Sequence, residues 1–412
     1  MIKYDHTFLF IFALSKLPHF CYNTSMKYRE LLRTTYFAGF LFSVQVALTA
    51  YINSSYLATK LPDFLIGILY TASAALAIAG LFLIPKLISA FGSSKIIGFL
   101  MLANILNILG MILSSNVYLV SFCFVLYFAF TTLIYLGIDI IIEHWSANTI
   151  QGTVRGAYLT SMNIGYMIGP IVAGFIADRL GFGVVYGFAI VFLIPVFIMI
   201  GFQLPTVTHI HESKANILGL ARKFITHPEL GSVFTVNFIL QFFYAWMVIY
   251  TPIYLHQYAH IAWDTIGIMF TVMLLAFPLF EYPLGKLADK FKIEKSFMIL
   301  GLITMGVATF FVTKAPVISI GALIAVLFIT RIGASTVEVM TESYFFRKVD
   351  HNDTGSIGFF RNTLPFAYIL APVIASVVLK IAPMWTLFTI LGVICCAGIL
   401  VIFPRKRKVG HA

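Results

Sequence analysis

Charge is what this sequence has least of. Its 412 residues carry 27 Lys and Arg and 16 Asp and Glu, 10% in all, against 60% apolar residues. A soluble chain of this length could not hide that much apolar surface, so a soluble globular fold is excluded. Cysteine is scarce as well. Cys21, Cys123, Cys395 and Cys396 show no metal-ligand spacing, and three of them sit in apolar runs, so no disulfide framework is expected. No Gly-x4-Gly-Lys-Ser/Thr phosphate loop occurs, which excludes an ATP-driven pump within this chain. No His-Glu-x-x-His occurs either; His209-Ile-His211-Glu212 reads as a solvated loop pair, and His260-Ile-Ala-Trp-Asp264 is one residue short of the His-x4-Asp of some membrane acyltransferases. The expectation is no catalytic site, no metal and no cofactor.

What remains is long, continuous apolar runs. Each is near the roughly 20 residues that a helix needs to span a bilayer, and in lipid only helices and closed barrels satisfy their own backbone hydrogen bonds. The runs do not alternate, so they are helices. Twelve spans are expected, at 32–56, 64–88, 95–114, 117–142, 155–178, 183–204, 230–254, 264–285, 296–313, 317–345, 357–379 and 383–403. The longest polar segment, Pro205 to Glu229, divides them. The fold class is therefore an all-α membrane protein of two pseudo-symmetric six-helix bundles, 32–204 and 230–404, with a linker at 205–229 and a basic tail at 405–412. Residues 1–31 read as an N-terminal extension, with Met26 the expected start.

The formal charge of +11 would suggest nucleic acid in a soluble protein, but its placement here follows the positive-inside rule instead. Leaving aside Lys3, Lys16 and the mid-span Arg331, only Lys60, Arg179, Lys314 and Lys380 fall on one side, and every other Lys and Arg on the other. Both termini are thus expected in the cytoplasm, in a multi-pass protein of the plasma membrane. A monomer that binds lipid and no nucleic acid is expected.

Two stretches echo one another. Asp139 to Pro170 gives two carboxylates four apart, Asp139 and Glu143, then a polar loop and an apolar run with Gly165, Gly169 and Pro170. Glu338 to Pro372 repeats the order with Glu338 and Glu342.

Three segments resemble known motifs. Gly285-Lys-Leu-Ala-Asp289-Lys290, between spans eight and nine, resembles the loop motif of the major facilitator superfamily. Pro85-Lys-Leu-Ile-Ser-Ala-Phe-Gly, between spans two and three, is a degraded counterpart with Ser89 in the aspartate position. Gly165-Tyr-Met-Ile-Gly169-Pro170-Ile-Val-Ala-Gly174 is similar to that superfamily's antiporter motif. The resemblance implies a twelve-span secondary transporter whose spans one, four, seven and ten line a central cavity. Span four here lacks the arginine that many members carry; the mid-span arginine is Arg331 in span ten.

Span ten carries the costliest residues. A charge at mid-span costs several kcal/mol and is normally kept for function. At about 100° per residue, Glu338 and Glu342 fall within roughly 20° of the Arg331 face, with Glu338 about 10 Å nearer the end of the span. Arg331 reads either as an anchor for an anionic group, as a partner that tunes a proton-carrying Glu338, or as half of a buried structural ion pair. Gln45, Thr49 and Asn53 form a polar stripe on span one, and Asn237, Gln241 and Tyr244 another on span seven beside Phe242, Phe243 and Trp246; both are expected to line the cavity. Asp139, Glu143 and Glu342 read as gate carboxylates that pair with Lys86, Arg155, Lys290 or Arg361 on closure, with Gly285 and Asp289 in the same role by resemblance. Gly165, Gly169 and Gly174 are expected to bring span five close to a neighbour, with a bend at Pro170. Glu281 reads as interfacial.

The function expected is proton-coupled efflux of a small amphiphilic or drug-like solute. Proton-coupled uptake of a sugar, organic anion or peptide is the alternative, and a transporter-shaped sensor or membrane enzyme the alternative from another class.

Overall fold

A computed structural model describes residues 26–145, 151–207, 217–291, 293–349 and 353–402. The described residues form helices joined by short turns, and twelve of these are long and apolar enough to cross a membrane. We number them α1 (Glu30–Ala58), α2 (Asp63–Leu81), α3 (Ser93–Leu113), α4 (Val117–Ile142), α5 (Thr160–Leu180), α6 (Phe182–Gln203), α7 (Pro228–Tyr258), α8 (Trp263–Ala288), α9 (Glu294–Val312), α10 (Ile320–Lys348), α11 (Gly355–Ile381) and α12 (Trp385–Ile402). The first six make one bundle and the last six a second. Because consecutive spans run antiparallel, the linker between α6 and α7 lies at the same end as the start of α1. We call this the linker end and the other the far end.

Proline explains several of the places where the helices deviate. The α8 helix is broken after Leu274, four residues before Pro278, and α11 is broken at Asn362, just after the residue four before Pro365. In each case proline supplies no N–H to the carbonyl one turn back, and its ring crowds that carbonyl. Pro195 and Pro252 precede the wide turns Met199–Gln203 and Tyr254–Tyr258 that close α6 and α7.

The two bundles are joined by α2 on α11, α5 on α8, and the far ends of α1 and α7. These contacts run from the far end to mid-depth. A Cβ on Gly67 would lie 2.5 Å from the Pro372 carbonyl oxygen, and one on Gly267 the same distance from that of Pro170, so backbone meets backbone. Around them Thr71 donates to the Ile369 carbonyl at 3.1 Å, Thr271 to Met167 at 3.4 Å, and the Tyr258 hydroxyl to Asp63 at 3.3 Å. Lys380 lies over the Phe64 ring.

The linker end is built otherwise. Ser93 and Val207 exchange two hydrogen bonds of 2.9 Å, which tie the first residues of the linker to the N-terminal bundle. The amphipathic helix Ile217–Thr226 docks on the C-terminal bundle. Its Phe224 is buried against Phe234, Phe345 and Phe359. Beside it, the Lys223 ammonium reaches Asp353 at 2.6 Å and Ser356 at 2.9 Å. The Lys223 partner holds the Asp353 carboxyl down at about 2, helped by the Ser356 backbone N–H. His209, His211, Glu212 and Lys214 lie outside the described residues.

Candidate functional site

Arg331 sits in the middle of α10, between the bundles, and is 1% exposed. Its guanidinium lies over the rings of Phe243 and Tyr244 of α7, 5.2 and 5.5 Å from their centroids. The Tyr51 hydroxyl of α1 is within polar reach of the guanidinium, and Tyr166 of α5 and Tyr368 of α11 are close enough to feel its charge. Residues from both bundles therefore surround this one cation. No carboxylate comes within ion-pair distance of it among the described residues, and its Nε and Nη1 atoms have no hydrogen-bond partner. The cation–π faces repay part of the desolvation cost of the charge and leave Nε and Nη1 without an acceptor.

Two turns along the same helix face, Glu338 is half-buried and accepts a 2.7 Å hydrogen bond from the Tyr244 hydroxyl. Tyr244 thus covers Arg331 with its ring and holds Glu338 with its oxygen. Two further carboxylates stand within electrostatic reach of Glu338: Glu342, exposed toward the linker end, and Glu281 of α8, half-buried. Read from sequence, Glu281 had no partner; the packing of α8 on α10 brings it into this group.

The polar stripes divide. Thr49 and Gln45 bond the Tyr127 hydroxyl of α4 at 2.6 and 3.3 Å, and Asn53 accepts from the Tyr186 hydroxyl of α6 at 2.7 Å. All three are buried, so in this arrangement they are held inside the N-terminal bundle, and α1 presents Tyr51 to the interface instead. On α7, Asn237 donates to Thr363 of α11 at 2.8 Å, within the C-terminal bundle, while Gln241 is half-buried. Trp246 donates to the Ala371 carbonyl at 2.6 Å, and Phe242 packs beside it.

The glycine motif of α5 also divides. A Cβ on Gly165 would meet the Phe40 carbonyl at 2.7 Å, and one on Gly169 would meet Ala47, so these two seat α5 on α1 inside the bundle. Gly174 instead lies against Gly267 and the Trp263 carbonyl of α8, across the seam. Pro170 is buried within a continuous helix, and its carbonyl faces Gly267.

Of the expected gate residues, Glu342 and Arg361 are exposed and make no ion pair with another described residue, and Lys86 and Lys290 are exposed. Asp139 is half-buried near Tyr135, and Gly285 lies in the last part of α8. The side chains of Glu143, Arg155 and Asp289 lie outside the described residues. Four ion pairs between described residues at this end lie on the C-terminal side: Lys348 and Lys295 to Glu229, Arg347 to the buried Glu294, and Lys223 to Asp353. Sequence reasoning missed Tyr51, Tyr166 and Tyr368. One tyrosine contributed by each of three spans carries no periodic signal, and they converge only through packing.

Two six-helix bundles meeting at one end, with a cation and carboxylates on one interbundle helix, are the architecture of a membrane transporter. The family model of the Major Facilitator Superfamily matches residues 35–263 and again 233–412, and the chain belongs to that superfamily. A search of curated proteins gave no significant match. Among solved structures, the human organic anion transporter MFSD10 (TETRAN) is similar over 92% of this chain and 100% of its own, with TM-score 0.63 and 14% identity. A peptide transporter POT in complex with alafosfalin covers 90% of this chain and 93% of its own, with TM-score 0.71 and 12% identity. The nucleoside transporter NupG covers 90% and 98%, with TM-score 0.71 and 14% identity. At these identities the similarity is one of fold.

Proposed function

We propose that this protein is a secondary transporter that moves a small amphiphilic solute by alternating access, with the linker end in the cytoplasm and open. The observation that carries the reading is the one-ended seam: the bundles pack together from the far end to mid-depth, through α2 on α11 and α5 on α8, and the polar face of α10 begins where that packing stops. Rocking the bundles about this level would open the far end and close the linker end. The excess of Lys and Arg at the linker end supports its cytoplasmic placement. Peptide, nucleoside and organic anion transporters share the fold, which fits a small organic solute.

Proton coupling falls to Glu338. It is half-buried on the face below Arg331, hydrogen-bonded to Tyr244, and flanked by Glu281 and Glu342 on the linker side, so protons have carboxylates to pass along. Efflux in exchange for protons is the direction favoured by the α5 glycine motif. The test is reconstitution into vesicles with an imposed pH gradient. Solute accumulation should collapse when the gradient is removed, and Glu338→Gln should abolish gradient-driven accumulation while leaving equilibrium exchange. Accumulation that ignores the gradient, or survives undiminished in E338Q, removes proton coupling through this residue.

A further inference from the structure

We infer that the solute of this protein is an organic monoanion, a carboxylate on a flat apolar body, and that Arg331 is the residue that binds its charged group. The inference rests on the transport reading for its setting, and on the geometry around one side chain for its content.

The guanidinium of Arg331 is enclosed at mid-membrane depth, and two of its three nitrogens have no hydrogen-bond partner. Buried donors are almost always satisfied, and two guanidinium nitrogens left without an acceptor at this depth are costly. A structural role would pair it with a carboxylate, and the span-ten carboxylate sits two turns away with its hydrogen bond taken from Tyr244 rather than from Arg331. The groups that the structure brings to the cation are rings and phenols: Phe243 and Tyr244 lie over it, Tyr51 is within polar reach, and Tyr166 and Tyr368 are within reach of its charge. These groups lower the local polarity and supply flat surfaces, and none supplies an anion. A planar guanidinium with free N–H groups matches a carboxylate, and ring faces match a flat apolar body.

The charge count narrows the class. One cation balances one negative charge. The next ionisable groups along the face are the carboxylates Glu338, Glu281 and Glu342, which repel a dianion and give a phosphate monoester no second counter-charge. Their placement on the linker side leaves Arg331 as the deepest charge on that face.

Tyr244 is the part that must move. Its ring covers the guanidinium, and its hydroxyl is held by Glu338. A solute arriving from the linker end reaches Arg331 by displacing this ring, which disturbs the hydrogen bond to Glu338. Occupation of the anion site is thereby tied to the residue proposed to carry the proton.

The test uses the purified full-length protein and three probes that share a phenyl ring and differ in charge, benzoate, benzamide and benzylamine, with chloride and inorganic phosphate as further arms. A bound ligand raises the melting temperature by mass action. Benzoate is expected to give a saturable rise, and the other four none. Arg331→Gln should weaken benzoate at least tenfold, and Arg331→Lys, which keeps charge without the planar fork, should lie between. Tyr244→Phe keeps the ring and frees it from Glu338, and should retain the preference for benzoate over benzamide. The unliganded R331Q protein should melt no lower than wild type, because the change removes an unpaired buried cation; if it does not fold, the R331K and Y244F arms carry the test. The inference is overturned if benzamide or benzylamine stabilises as well as benzoate, if R331Q or R331K binds benzoate like wild type, if only chloride or phosphate acts, or if none of the probes acts. Transport separates the two readings. Carboxylates that bind but never cross vesicles sink the transporter and leave the anion site, whereas vesicles that move a neutral or cationic solute equally well with R331Q do the reverse.

Discussion

The two ends of the molecule are held by different forces. At the far end the bundles meet backbone against backbone, at Gly67 with Pro372 and at Gly174 with Gly267. At the linker end, contacts within the C-terminal half dominate: aromatic stacking around Phe224, the Lys223–Asp353 pair, and the pairs of Glu229 and Glu294. Close backbone packing is short-ranged, since a gap of about 0.5–1 Å already forfeits roughly a quarter to a half of the dispersion attraction. Such a seam is either fully made or lost, which suits a contact that must switch between two states. Ion pairs and a docked amphipathic helix instead bind each half to itself, so the linker can follow the C-terminal bundle as a rigid part while its first residues stay with the N-terminal one.

Breaking the linker end should give the largest local effect. Phe224→Ala empties a buried aromatic site and should cost roughly 3–5 kcal/mol of local packing, enough to release the helix Ile217–Thr226. Hydrogen exchange across 217–226 should rise sharply, with the far-end seam at 63–74 and 369–376 unchanged. A matching rise at the seam would mean the two ends are one cooperative unit.

Breaking the far end should act next. Gly174→Leu places side-chain atoms against the backbone of Gly267 and Trp263, which no rotamer change can relieve. Overpacking of this kind costs about 1–3 kcal/mol, and only the far-closed state bears it. Spin-label distances across the far end should therefore lengthen, and the equilibrium should shift toward the opposite state by about 5- to 150-fold relative to wild type. Unchanged distances would remove the seam from the switching mechanism.

The smallest effect sharpens the comparison. Asp353 is held well below the usual carboxylate range by Lys223, so its folded form prefers the charged state. The stabilisation is present above the ordinary carboxylate pKa of about 4 and fades as pH falls toward 2. Because both partners are partly exposed, Asp353→Asn should cost under about 1 kcal/mol. Exchange in 217–226 should rise slightly in D353N at neutral pH and match wild type near pH 2. A large loss in D353N would mean that the pair, and not Phe224, carries the docking.

Much of the fold was legible in the sequence. The apolar run lengths define the spans, Pro205 to Glu229 divides them, and the Arg331–Glu338–Glu342 spacing places three charges on one face of one helix. These are local properties, set by helix geometry and by the cost of charge in lipid. The site was less legible. The stripe Gln45, Thr49 and Asn53 has the period of a lining surface, yet its hydrogen bonds go to Tyr127 and Tyr186 in the same bundle. Periodicity tells which residues share a face, and not which neighbour that face meets.

The sequence by itself determined the membrane class, the two-bundle organisation and the stripe of charge on α10, because hydropathy and helical period are written residue by residue. Only the tertiary structure decided that Tyr51, Tyr166, Phe243, Tyr244 and Tyr368 gather near Arg331 and that no carboxylate among the described residues forms an ion pair with it. Those contacts join spans far apart in the chain, and they arise from how the bundles pack at the far end, where glycine lets one backbone approach another.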